Sequence, residues 1–169
     1  MAHVKVVRRS MRPEEWTDLR FGWLQRGLWA DAEEITSLTI RDAHQIAKNT
    51  YEFPDGGERP LCRGDLYFTP DGTAFIRGNA LIPERFDVRE VYLRLKTAAE
   101  MIVKVNGAYA GGIDPNRDRI PLTPYIKGRE LQIEIEAYNR SKPDDERNPA
   151  SLGVRGCRQI FEGAYLAVL

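Results

Sequence analysis

Five polar residues in the stretch Met101–Thr123 (MIVKVNGAYAGGIDPNRDRIPLT) have types and spacing that could do chemistry: Asn106, Asp114, Asn116, Arg117 and Asp118. Asn and Asp oxygens accept hydrogen bonds from sugar hydroxyls, the Asn amide also donates, and an Arg guanidinium holds a carboxylate or oxyanion in a fork. Pro115 has a fixed φ between Asp114 and Asn116, so such a loop would present both side chains at little entropic cost. The chemistry implied is recognition, either of a carbohydrate or of a neighbouring protein domain. The competing reading is structural: Asn and Asp form turns by satisfying their own backbone.

The rest of the chain offers no catalytic constellation. Its two histidines are His3, in the leader, and His44. A nucleophile elbow is absent, as are a phosphate-binding loop and a dinucleotide fingerprint. The carboxylates fall on strand faces that read as solvated (Glu134, Glu136) or in loops (Asp144, Asp145, Glu146), whereas glycoside hydrolysis needs a pair flanking a cleft. Cys62 and Cys157 stand far apart without a CxxC or a Cys/His cluster, which argues against structural zinc. Two reduced, partly buried thiols are the expectation, with a disulfide between them as the alternative.

A chain of 169 residues suits one domain, able to bury roughly two-thirds of its unfolded surface. Lys+Arg and Asp+Glu each count 25, so the formal net charge is zero, without the basic excess of a general nucleic-acid binder. The start, MAHVKVVRRS, lacks a signal-peptide core. No apolar run approaches the roughly 18 residues of a membrane span. Cytoplasmic residence is the expectation, with neither nucleic acid nor membrane as partner. The last segment, Gln159–Leu169, reads as a strand still running where the sequence stops, which fits a piece of a longer polypeptide.

The elements that must position the polar stretch are mostly strands. Pro13–Arg26 reads as a helix: Pro13 suits the first turn, Glu14 and Glu15 favour its positive end, and Trp16, Leu19, Trp23 and Leu24 fall on one stripe before Gly27. With Trp29 nearby, the tryptophans read as packing residues. Thr36–Arg41 reads as a strand, while Arg41–Lys48, with His44, fits a helix equally well. From Tyr51 onward, turn formers recur between short β-rich runs, as at Pro54-Asp55-Gly56-Gly57, Pro70-Asp71-Gly72 and Asn106-Gly107. Val88–Lys96 and Glu130–Tyr138 alternate cleanly, the mark of an antiparallel sheet with one face buried. Asn106-Gly107 between alternating strands predicts a tight hairpin with Gly107 at positive φ. Ser141–Asn148 with Pro149–Gly156 reads as a long exposed loop. The fold class is therefore mainly β: an antiparallel jelly-roll β-sandwich with one or two N-terminal helices. Residues 1–50 form a lead-in that packs on the sandwich, and residues 51–169 form the sandwich itself.

The order GTAFIRGNALIPERF, VYLRL, EMIVKVNGAYAGGID, RIPLT and, after a Gly, LQIEIEAY resembles the β-sandwich that precedes the catalytic domain in glycoside hydrolase family 38 α-mannosidases of the cytosolic/vacuolar and bacterial branch. Phe75, Arg77 and Pro83 fit a family strand closed by a proline; Val105-Asn106-Gly107, Gly112-Ile113-Asp114 and Leu122-Thr123 match its signatures. The likeness covers about Gly64–Tyr138, with weaker support from the N-terminal tryptophan-rich helices, and implies a galactose-binding-domain-like sandwich, since the same layout occurs in that group. It departs at Ala74-Phe75, where the family usually has an aromatic pair, and at Arg117, where a His is usual.

The resemblance implies a non-catalytic accessory domain of a retaining, metal-dependent α-mannosidase. Zinc and the nucleophile would belong to a separate α/β barrel, so this chain would hold no catalytic residue, metal or other cofactor. Asn106, Asp114, Asn116 and Arg117 would make carbohydrate or interdomain contacts, and Gly107, Gly112, Arg77 and Pro83 would be structural. The implied partners are a catalytic domain of the same polypeptide, carbohydrate, and further copies of the parent enzyme. The alternative is a stand-alone, lectin-like carbohydrate-binding module, with Tyr109 and Tyr125 as candidate stacking platforms.

Overall fold

The computed structural model of the chain describes Thr17 and residues 29–54, 56–67, 72–86, 89–95, 97, 99–114, 116–138 and 159–169. Thr17 is helical. The rest of the expected N-terminal helix, the loop 141–156, Cys157 and Pro115 lie outside the described residues.

Among the described residues thirteen strands follow one another: β1 (Asp31–Glu34), β2 (Leu38–Ala47), β3 (Thr50–Glu52), β4 (Arg59–Pro60), β5 (Leu66–Tyr67), β6 (Thr73–Leu81), β7 (Val91–Leu95), β8 (Glu100–Val105), β9 (Ala108–Ile113), β10 (Arg119–Pro121), β11 (Glu130–Tyr138), β12 (Gln159–Ile160) and β13 (Ala164–Val168). Single 3-10 turns occur at Glu84–Phe86 and Thr123–Tyr125. A four-stranded sheet has the order β1-β13-β7-β10, and a seven-stranded sheet runs β3-β2-β6-β11-β8-β9 with β4 beside β2. A small pair, β12-β5, stands apart. Neighbouring strands are antiparallel throughout. The chain crosses repeatedly from one large sheet to the other, the wrapping of a jelly roll.

Alternation builds the core between the sheets. Leu131, Ile133, Ile135 and Ala137 of β11 are buried, as are Met101, Val103 and Val105 of β8 and Val91, Leu93 and Leu95 of β7. The opposite face of β11 carries Gln132, Glu134 and Glu136 outward, in the pattern its sequence predicts.

The first part of the chain differs from expectation. β2 extends through Ala47, so Arg41–Lys48 is not helical: Arg41 to Ala43 pair with Phe75 to Thr73 of β6, and Gln45 to Ala47 pair with β3 across a bulge. Cross-strand partners outweigh the weak local preference of Ala43, His44 and Gln45 for helix. The sandwich therefore begins by Asp31, not at Tyr51. β1 pairs with β13 and β2 with β6, so residues 31–47 supply strands to both large sheets rather than packing against them.

Candidate functional site

The residues singled out in the sequence occupy two places. Asn106 and Gly107 turn β8 into β9, with φ of 52° and 76°. Two successive positive values make the type I′ hairpin that matches the twist of its strands. The Asn106 side chain is engaged: its Oδ1 accepts the Gln132 N–H at 2.9 Å, and its Nδ2 donates to the Tyr125 carbonyl at 3.1 Å.

Asp114, Asn116 and Arg117 lie beyond the far end of β9. The backbones of Asp114 and Arg117 exchange two hydrogen bonds, at 3.0 and 3.1 Å, and Asp114 Oδ1 accepts the Asn116 N–H at 2.7 Å. This is an Asx turn. Asn116 and Arg117 are exposed and Asp114 half-buried. Asp118 holds Arg94 at 3.2 Å. Asn106 does not join them. The six residues of β9 separate the two turns, about 20 Å at about 3.3 Å per residue. A hairpin strand puts its flanking residues at opposite ends, so the polar stretch forms a hairpin tip and a separate Asx turn rather than one rim.

The remaining residues are placed as follows. Gly112, on β9, pairs with Ile102 of β8, and Arg77 points outward from β6. Pro83 follows β6, and its carbonyl accepts the Phe86 N–H at 3.0 Å, seating the buried Phe86 ring. Tyr109 is 64% exposed, facing outward beside Lys104. Tyr125 is half-buried against the core. His44 is exposed on β2, and Cys62 is exposed rather than partly buried as its sequence setting suggested.

No local sequence signal marks the outer face of the seven-stranded sheet as a site. At one end of it a shallow, open depression of about 220 Å³ is lined by Ser37, Thr39, Arg77, Gly78, Asn79 and Gln132. Asn79 lies directly opposite Gln132, and Arg77 opposite Glu134. The Ser37 hydroxyl donates to the Asn79 carbonyl at 2.5 Å, and the Thr39 hydroxyl to Glu58 at 2.7 Å. The other end is aromatic. Tyr51 packs edge-on against Phe75, Phe53 tilts beside it, and the Arg41 guanidinium lies 3.9 Å from the Phe53 ring centroid. Tyr51 donates its hydroxyl to Glu136, which raises the phenol to about 12 from its usual 10.0. The alternation of β6 and β11 signals outward polar residues; the register that aligns Asn79 with Gln132 is a tertiary fact.

On the outer face of the four-stranded sheet, Trp29 meets Tyr92 edge-on with centroids 5.7 Å apart, and Arg94 and Arg119 each stand 5.5 Å from the Trp29 ring. Among the described residues, no group of three or more His, Cys, Asp or Glu is placed to hold a metal ion. What these surfaces offer chemically is hydrogen-bonding groups and aromatic rings.

No protein-family model matches the chain, and no curated protein matches it. Solved structures do. A Bacteroides fragilis protein assigned as a β-galactosidase aligns with TM-score 0.53 at 17% identity, over 82% of this chain and 23% of its own. A Bacteroides uniformis β-glucuronidase aligns with TM-score 0.53 at 14% identity, over 82% of this chain and 18% of its own. A rhamnosidase from Novosphingobium sp. PP1Y aligns with TM-score 0.50 at 15% identity, over 81% of this chain and 15% of its own. The chain thus spans less than a quarter of the length of each of these proteins, and what it shares with them is the fold.

Proposed function

We propose that this chain is a non-catalytic accessory domain of a glycoside hydrolase. The observation that carries the proposal is the disparity in coverage: more than four-fifths of this chain superposes on a small part of larger chains that bear the names of sugar-cleaving enzymes. The proposal extends to an α-mannosidase of family 38 as the parent. That finer reading rests on the Val105-Asn106-Gly107, Gly112-Ile113-Asp114 and Leu122-Thr123 motifs. It carries with it a catalytic barrel on the same polypeptide, a divalent metal such as zinc in that barrel, cytoplasmic residence and assembly of the parent into oligomers.

In this role the domain contributes surface rather than chemistry. The Asx turn at Asp114–Arg117 leaves two polar side chains exposed on a short, hydrogen-bonded loop. Such a preorganised edge suits a neighbouring protein domain, because little entropy is lost on docking. The test is an assay of the chain alone, and of the chain joined to its barrel, on aryl α-mannosides, β-galactosides, β-glucuronides and α-rhamnosides with added zinc. The expected result is no turnover by the chain alone on any of them, and α-mannoside cleavage by the joined protein. Turnover by the chain alone that survives repurification and disappears in Asp114→Ala would overturn the accessory role. Cleavage of another glycoside by the joined protein would overturn only the mannosidase assignment.

A further inference from the structure

We propose that the Asn79–Gln132 end of the outer face of the seven-stranded sheet binds one neutral sugar ring of a glycan chain. The accessory role needs no such site, since a domain can dock on a barrel without touching sugar. The inference borrows from that role only the sugars chosen for testing.

The depression there holds about 220 Å³, less than the roughly 300–1,000 Å³ of pockets for drug-sized ligands and suited to a single ring. Every side chain lining it is polar: hydroxyls of Ser37 and Thr39, amides of Asn79 and Gln132, and the guanidinium of Arg77. Adjacent pyranose hydroxyls each donate and accept, and a side-chain amide offers one acceptor oxygen and two N–H donors. Asn79 and Gln132 are direct cross-strand partners, with side chains rooted about 5 Å apart. They can meet neighbouring hydroxyls of one ring, with Arg77 adding donors from the same face of β6. Ser37 and Thr39 are held by their bonds to the Asn79 carbonyl and to Glu58. Their hydroxyl protons are thereby committed, and their oxygens remain as acceptors.

Charge selects a neutral ligand. Glu134 lies directly between Arg77 on β6 and Lys104 on β8, and Glu58 stands at Thr39. The face alternates in sign instead of presenting a cationic well for a uronate. Further across it, Tyr109 stands beside Lys104 and is 64% exposed. A chain of several rings laid across β6, β11, β8 and β9 would end against that aromatic ring.

Such a site is weak, in the millimolar range, because a few exposed hydrogen bonds barely offset the cost of association. The test is a nuclear magnetic resonance titration of the full chain, with nitrogen-labelled side chains, against methyl α-D-mannopyranoside, methyl β-D-galactopyranoside and a linear mannotriose. The expected result is movement of the Asn79 and Gln132 amide resonances and of Arg77 Nε–H, largest with the trisaccharide. The Asn79→Ala/Gln132→Ala double variant should weaken apparent binding about tenfold or more. Arg77→Gln, at an exposed position, is a second variant with the same direction should the double variant not fold. Absence of movement at the solubility limit of all three sugars would overturn the site, as would unchanged binding by the folded variants. Movement confined to Asp114–Arg117 would overturn it in favour of the Asx turn. None of these outcomes bears on the catalytic assays of the joined protein, so the two readings fail separately.

Discussion

The backbone of Gly78 passes so close to Ser37 that a Cβ there would stand 2.5 Å from the Ser37 carbonyl oxygen and 2.6 Å from Leu38 Cδ2. Gly78 is the central-strand partner of both Leu38 and Ile133, so any side chain must push β2 away from β6. Gly78→Ala is expected to destabilise the chain by about 1–3 kcal/mol through overpacking. A denaturant midpoint unchanged from the parent would show that the strands separate freely there.

At the hairpin tip, Gly107 has φ of 76° with open space around its α-carbon, so the penalty for a side chain is conformational alone. Gly107→Val is expected to cost about 1–3 kcal/mol, because β-branched residues fit the left-handed region poorly. Asn106→Ala should cost about 1–2 kcal/mol, since it strands the Gln132 N–H and the Tyr125 carbonyl from their side-chain partner. Equilibrium urea unfolding of both variants measures these losses.

The Asx turn makes a prediction of the opposite kind. Asp114→Asn keeps the oxygen that accepts the Asn116 N–H and should leave stability within about 0.5 kcal/mol of the parent. Asp114→Ala removes that oxygen and should cost about 1 kcal/mol. Asp114→Ala and Arg117→Ala should remain folded and lower the activity of the joined enzyme. Full activity with either alanine variant would take the turn out of the interdomain contact.

Tyr51 supplies a pH test. Its hydroxyl donates to Glu136, so the neutral phenol is favoured in the fold and its pKa rises from 10.0 to about 12. A raised pKa means that the stabilisation is fully present below pH 10 and is lost as the pH climbs through about 12. Tyr51 should be among the last tyrosines to develop phenolate absorbance. Tyr51→Phe should remove that late step and flatten the fall in stability between pH 10 and pH 12. Loss of a phenolate step at the ordinary pH 10, with the late step near 12 intact, would refute the hydrogen bond.

Much of this architecture was readable from the residues. The alternation of Leu131, Ile133, Ile135 and Ala137 with Gln132, Glu134 and Glu136 fixed both the strand and its buried face, and Asn106-Gly107 fixed the turn. Local signals failed where pairing decided the outcome. Arg41–Lys48 carries no strong period of its own and becomes strand because β6 and β3 flank it. Asn106 and Asp114 read as neighbours because they are close in sequence, yet an intervening strand is what sets them apart in space. The sheet-face depression went unseen for the converse reason: Asn79 and Gln132 are remote in the chain and meet only through the antiparallel register of β6 and β11.

The position of β13 has a consequence for the order of assembly. In the four-stranded sheet it lies between β1 and β7, yet it leaves the ribosome after every other strand described. Until then β1 has no partner in that sheet among the described residues, and the buried side chains of the facing sheet are only partly covered. Contacts this distant along the chain form slowly, so a nascent chain stalled before Ala164 would carry an exposed apolar layer and an open strand edge, the kind of surface that holdase chaperones recognise.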